Sequence, residues 1–115
     1  MKRNAFVTTA AAIAAALALA AFDRPLQAAD ARSENWQLHC SVCHGDDGKG
    51  QTEEGRKKKA RNLTNERWQG TLDDARIVSS ITKGHHDMPA FRKKLTEPEI
   101  KALAAEVRCL VKKPS

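Results

Sequence analysis

The sequence predicts an all-α fold, three main helices with long loops between them. Three observations point that way. Apolar residues recur at helical spacing in three separate stretches, around Trp36, around Ile77 and around Leu103. Helix start and stop signals bracket two of those stretches, at Thr71, Gly84 and Thr96. About 86 residues follow an apolar leader, with few aromatics and no tyrosine. A chain that thin in bulky side chains makes a marginal core unless something else fills it.

The elements follow in chain order. Lys2 and Arg3 open the chain, and an alanine-rich apolar run extends from Ala5 to Phe22. Asp23, Arg24 and Pro25 end it, and small residues follow at Ala28, Ala29 and Ala31. That is the order of a secretory signal peptide, expected over 1–29 with cleavage in the region Ala28 to Ala31, ahead of one domain over 30–115. The alternative is an uncleaved anchor, although a membrane span wants about 20 strongly apolar residues and alanine is a weak contributor. The whole chain carries a net +6, and the leader accounts for +2 of it. The remaining +4 suits docking on an acidic surface and is too small to argue for nucleic acid.

Between Asp30 and His44 there is no proline or glycine, so one helix is expected there. It ends in Cys40-Ser41-Val42-Cys43-His44, a Cys-x-x-Cys-His. This spacing reads as the attachment of a c-type haem. Two thiols one helical turn apart can add to neighbouring vinyl groups, and the next imidazole then lies beneath the iron. Thioredoxin-type thiol chemistry would want a βαβ context. Structural zinc would want a second pair of ligands; the remaining cysteine is Cys109, and His85-His86 are wrongly spaced. A buried haem also supplies the apolar mass that the composition lacks. His39 reads as a surface residue.

Gly45-Asp46-Asp47-Gly48-Lys49-Gly50 stops the helix and opens a loop that can pass close to a haem edge. No Lys-Ser/Thr follows at the spacing of a phosphate loop. Arg56-Lys57-Lys58-Lys59-Ala60-Arg61 reads as a solvated surface loop, with a docking patch as its alternative. Thr71 is expected to cap the second helix, whose buried side runs through Leu72, Ala75, Ile77, Val78 and Ile81, with Gly84 ending it. The last helix opens at Thr96-Glu97-Pro98-Glu99 as a capping box. Its apolar stripe is Ile100, Leu103, Val107 and Leu110, and Lys112-Lys113 suit its C-terminal end.

The loop Gly84-His85-His86-Asp87-Met88-Pro89-Ala90-Phe91 carries the other candidate ligand. Met88, stiffened by the following proline, is suited to reach the second face of the iron. A bis-imidazole iron through His86 or His85 competes with it, and an isolated methionine is more often core filler.

These motifs together resemble a class I c-type cytochrome. The resemblance rests on Cys40-Ser41-Val42-Cys43-His44-Gly45 with Gly48-x-Gly50, on Arg61-Asn62-Leu63-Thr64, and on Gly84-x-x-x-Met88-Pro89 with the closing helix. It implies a cytochrome c fold around one covalent haem c, with thioethers to Cys40 and Cys43 and axial ligands His44 and Met88. It also implies electron transfer outside the cytoplasm. Family members often place a proline under the ligand histidine to present a carbonyl to its ring N–H. None lies between His44 and Met88, so an ordinary residue near Lys59 or Ala60 is expected in that place. Trp68 reads as a donor to a haem propionate or as packing. Cys109 reads as a buried thiol, with an intermolecular disulfide as the alternative.

Six-coordinate iron leaves no place for a substrate, so the expected function is single-electron transfer without catalysis, in the periplasm, between a redox donor and acceptor. Arg92, Lys93 and Lys94 are candidates to ring the haem edge and steer an acidic partner. A haem subunit held in a dehydrogenase or oxidase complex is the second reading. A haem enzyme or sensor with an open or His-ligated sixth site is the third. Membrane contact is expected only if the leader is retained.

Overall fold

Six helices follow one another in the computed structural model, which describes residues 32–111. They are α1 (Glu34–His39), α2 (Ser41–His44), α3 (Glu53–Lys57), α4 (Glu66–Gln69), α5 (Asp74–Lys83) and α6 (Glu97–Cys109). No strand occurs among the described residues; His85 and Met88 form an isolated antiparallel bridge. The expected signal peptide and Lys112-Lys113 lie outside the described residues. Among the described residues, no helix is long and apolar enough to cross a membrane.

The first expected helix is two. Cys40 separates α1 from α2 with φ −111° and ψ −41°. The cause is local: Ser41 Oγ donates to the Gln37 carbonyl at 2.8 Å, and such back-bonding competes with the helical ladder and bends it. The Cys40 N–H still reaches the Trp36 carbonyl at 2.9 Å. The chain therefore turns without breaking.

The two longer helices form as their sequences require. At α6 the Thr96 hydroxyl accepts from the Glu99 N–H, and the Glu99 carboxylate accepts from the Thr96 N–H at 2.7 Å, completing the capping box. At α5 the cap is Asp73, two residues later than expected. Thr71 instead donates its hydroxyl to the Trp68 carbonyl at 2.7 Å, closing the turn after α4. Gly84 ends α5 at φ 78°, in the left-handed region.

The core packs α5 against α6 and α1 across α6. Trp36 and Leu103 are its most deeply buried side chains, joined by Ile77, Ile81, Phe91 and Ile100. Of the expected α5 face, Ile77 and Ile81 are buried while Ala75 is exposed. On α6, Ala104 adds to the expected stripe and Leu110 is half-buried. Cys109 is exposed, contrary to expectation. Two residues past buried Val107, it lies about 200° around the helix and points away from the core.

Polar groups tie the short elements to this core. Gln69, the one buried polar side chain among the described residues, donates from Nε2 to the Leu63 and Val107 carbonyls, each at 2.8 Å. Arg108 donates to the Gln69 and Leu72 carbonyls and to Asp74 Oδ1. Together they fasten α4 and the start of α5 to α6. The basic stretch expected as a loop begins inside α3; Lys57 and Lys58 pair with Glu53 and Glu54 one turn back.

Candidate functional site

Helix α2 is held from below by α3. Thr52 Oγ1 accepts from the Gly55 N–H at 2.9 Å and donates to the Val42 carbonyl at 2.7 Å, with the Cys43 carbonyl 3.1 Å away. One hydroxyl thus caps α3 and satisfies the end of α2. A Cβ on Gly55 would run into the Cys43 carbonyl, so only glycine allows this approach. The stretch that bears the two cysteines and His44 is therefore fixed from two sides, since Trp36 Nε1 also donates to the Gly45 carbonyl at 3.2 Å.

His44 is half-buried, and its Nδ1 lies 3.1 Å from the carbonyl oxygen of Arg61. A carbonyl only accepts, so Nδ1 carries the proton and Nε2 keeps its lone pair. Burial lowers the His44 pKa, opposed in part by that hydrogen bond. The ring is thus a neutral imidazole with one nitrogen committed and the other able to bind a metal. The acceptor is Arg61, one residue beyond the expected Lys59 or Ala60.

A cavity opens beside His44 and encloses about 1190 Å³ of atom-free space, its mouth included. Cys40, Cys43 and His44 line it, as do His85, His86 and Met88. Trp36, Ile77, Ile81, Phe91, Leu103 and Val107 give it an apolar wall. All four expected site residues, Cys40, Cys43, His44 and Met88, therefore share one cavity. Burial, with Glu106 contributing, pushes the free Cys40 thiol up to about 11.

The Met88 loop is as tightly determined as α2. His85 and Met88 exchange backbone hydrogen bonds of 3.1 and 2.9 Å, and the Phe91 N–H returns to the Ile81 carbonyl at 3.0 Å. His86 takes a left-handed φ of 49°. A Cβ on Gly84 would stand 2.7 Å from the Met88 carbonyl, so the loop folds onto a position only glycine fits. Met88 is half-buried and packs against the core, whereas His85 and His86 are exposed, their rings 4.2 Å apart. The neighbouring His86, with a small burial contribution and then Arg76 and Arg61, lowers the His85 pKa.

Other expectations divide. His39 is half-buried, lines the cavity and meets Phe91 edge-on at 5.6 Å. It is thus part of the wall, a correction to the surface reading. Trp68 lines the cavity, with the Arg61 guanidinium over its ring at 5.0 Å. The cations beside the cavity are Lys58, Lys59 and Arg61; Arg92, Lys93 and Lys94 are exposed but lie outside its lining. Among the described residues no group of three or more His, Cys, Asp or Glu side chains is placed to hold a bare metal ion.

These features fit a haem: an apolar wall, two cysteines at attachment spacing, and an imidazole presenting a single free nitrogen. Comparison with known proteins agrees. Residues 27–105 match the family described as cytochrome c oxidase, cbb3-type, subunit III. The cbb3-type cytochrome c oxidase subunit FixP of Azorhizobium caulinodans is 40% identical over 84 residues, which is 72% of this chain and 27% of that protein. FixP of Bradyrhizobium diazoefficiens is 40% identical over 73 residues, 63% of this chain and 24% of that protein. The chain thus matches about a quarter of the length of these relatives. Among solved structures, the KustC0563 c-type cytochrome superposes with a TM-score of 0.62 at 38% identity, covering 67% of this chain and 93% of that one.

Proposed function

Because the chain belongs to the cbb3-type cytochrome c oxidase subunit III family and has the cytochrome c fold with one covalently bound haem c, we propose that it relays single electrons within an oxidase complex. The relatives are named as oxidase subunits, which favours the second reading drawn from the sequence over a freely diffusing carrier. The observation that carries the proposal is the convergence of Cys40, Cys43, His44 and Met88 on one apolar-walled cavity, with His44 Nδ1 already committed to Arg61.

In this reading Cys40 and Cys43 would form the two thioethers, and His44, through Nε2, and Met88 would hold the iron. Bound there, a haem exchanges one electron between its ferric and ferrous states. The residues do the rest. Met88 with His44 favours the ferrous state, because a thioether is a soft ligand. The apolar wall of Ile77, Ile81, Leu103 and Val107 acts in the same direction by disfavouring the extra positive charge of the ferric state. Arg61 opposes part of this by strengthening His44 as a donor. With His44 and Met88 both holding the iron, Met88 would keep oxygen and peroxide away from it, and the chain itself would turn over no substrate. Met88 is chosen over His85 and His86 because it packs against the core while both imidazoles are exposed. Trp68 offers its indole N–H to a propionate. The leader directs the domain to the periplasm, cleaved or retained as an anchor, and the partners are the other oxidase subunits and a redox donor.

Two experiments test this. The ferric holoprotein should show the weak far-red band of methionine-ligated haem c, lost in Met88→Ala and kept in His86→Ala; a parent spectrum without that band, unchanged by Met88→Ala and altered by His86→Ala, transfers the ligand role to His86. Purification under native conditions should bring the chain down with oxidase subunits. Migration as a lone small protein would restore the diffusible-carrier reading.

A further inference from the structure

The hydrogen bond that orients His44 comes from a segment whose own backbone N–H groups do little to hold it. Asn62 is turned toward Thr64, whose N–H and hydroxyl donate to its Oδ1 at 2.9 and 2.6 Å, and Arg61 has no such tie among the described residues. Ala60 is anchored by its N–H to the Gly55 carbonyl at 2.7 Å, and Leu63 by its N–H to the Gly48 carbonyl at 2.8 Å. Between these anchors lie Arg61 and Asn62, both exposed, and among the described residues neither N–H has a hydrogen-bond acceptor. No proline stiffens the stretch, and Lys59 just before it takes a left-handed φ of 54°. The Arg61 carbonyl nevertheless has to stay 3.1 Å from His44 Nδ1.

We propose that Arg61 is a positioning residue for His44: its guanidinium, laid over the Trp68 indole, fixes the Arg61–Asn62 peptide so that its carbonyl remains on the imidazole. The platform is firm. Trp68 sits in α4, where its N–H donates to Asn65 Oδ1 at 2.8 Å and its carbonyl accepts from Thr71 Oγ1 at 2.7 Å. The next residue, Gln69, is the buried anchor to Val107 on α6. A guanidinium 5.0 Å from the ring centroid lies within the range where the quadrupole of the indole face attracts a cation, and its planar shape suits stacking. The orientation of the His44 ring is thereby referred, through Arg61, Trp68 and Gln69, to α6, the longest of the described helices. The alternative role for Arg61, a cation serving only the acids of the cofactor, predicts no dependence of His44 on the stiffness of the segment.

The proposal rests on His44 as an iron ligand, and its test separates the two. In ferrous holoprotein with nitrogen-15-labelled histidine, solvent exchange of the His44 Nδ1–H is followed by NMR in Arg61→Ala, Arg61→Pro, Trp68→Leu and the Arg61→Ala/Trp68→Leu pair. Arg61→Ala should exchange about two- to fivefold faster, the ratio that corresponds to an exposed cation–π contact. Arg61→Pro, equally uncharged but with φ fixed by its ring, should return to the parent rate. Trp68→Leu should match Arg61→Ala, and the double variant should go no further. Unchanged exchange in Arg61→Ala, equal acceleration in Arg61→Ala and Arg61→Pro, or additive effects in the pair overturns the proposal. A colourless parent protein overturns the haem reading instead, and with it the premise.

Discussion

Ser33 gives both its backbone N–H and its hydroxyl proton to the Glu106 carboxylate, at 2.9 and 2.7 Å across 73 residues of sequence. The same Ser33 oxygen accepts from the Trp36 N–H at 3.1 Å, so the cap of α1 is itself held by α6. The crossing of the first and last long segments is thus fixed by one carboxylate and one buried indole. Charge-assisted bonds of this kind, partly exposed, each contribute on the order of 1 kcal/mol. Glu106→Ala should therefore lower stability by about 1–2 kcal/mol in urea unfolding of the holoprotein, the Ser33 cap being weakened too. Loss of the Soret signal and of helical ellipticity should coincide. An unchanged midpoint would mean that Trp36 packing alone sets the crossing.

Gln69 makes a sharper case because it is buried. Replacing it by leucine conserves volume but leaves the Leu63 carbonyl without its donor, the Val107 carbonyl with the Leu110 N–H alone, and Arg108 without one of its acceptors. An unsatisfied buried polar group costs about 1–3 kcal/mol, so Gln69→Leu should cost about that much. Chemical denaturation reads this directly. A leucine variant as stable as the parent would show that water replaces the amide.

How much of this was legible in the sequence depends on range. Thr96 and Glu99 announce α6 because a capping box is made by residues three apart, and the structure closes it as expected. The Cys-x-x-Cys-His and the Met88-Pro89 loop stand out as local patterns for the same reason, and the structure brings both to one cavity. The bend at Cys40 was not, since it turns on one hydroxyl choosing a carbonyl four residues back. Helix α4 is a single turn of four residues, too short to show a period. The acceptor for His44 was missed by one residue because it depends on how a loop returns after α3 (a path that no local pattern specifies). Cys109, by contrast, was legible and misread; counting from Val107 puts it on the outer side of the helix.

Acid should act on α6 through Glu99. Its carboxyl is held below the usual value of 4.5, chiefly by accepting the Thr96 backbone N–H and then by its bond with the Thr96 side chain. A lowered folded-state pKa means that the unfolded chain binds the proton more readily. The stabilisation is therefore fully present above 4.5 and is lost as the pH falls through the lowered folded value. Glu99→Ala should unfold more easily than the parent at neutral pH, and the two denaturation curves should converge in acid. Curves that stay apart by a constant amount across that range would show that the carboxylate charge has no part in the cap.

Removing the attachment chemistry tests the relation between cofactor and fold. The apolar side chains that bound the cavity, Trp36, Ile77, Ile81, Phe91 and Leu103 among them, are the same ones that make up the core. Core and binding site are one surface, seen from its two sides. Without the prosthetic group those side chains face open space, and a domain of this size has no second apolar layer to fall back on. In Cys40→Ala/Cys43→Ala, produced without covalent haem, helical far-ultraviolet ellipticity should persist in part, because the caps of α5 and α6 are local. Near-ultraviolet ellipticity from Trp36 and Trp68 should disappear, and thermal unfolding should lose its cooperative transition. The single variant Cys40→Ala, keeping His44, Met88 and one thioether, should fall between the two. A double variant with a sharp transition and native near-ultraviolet signal would show that α1, α5 and α6 close the core unaided, with the cavity a passenger in a fold that stands without its cofactor.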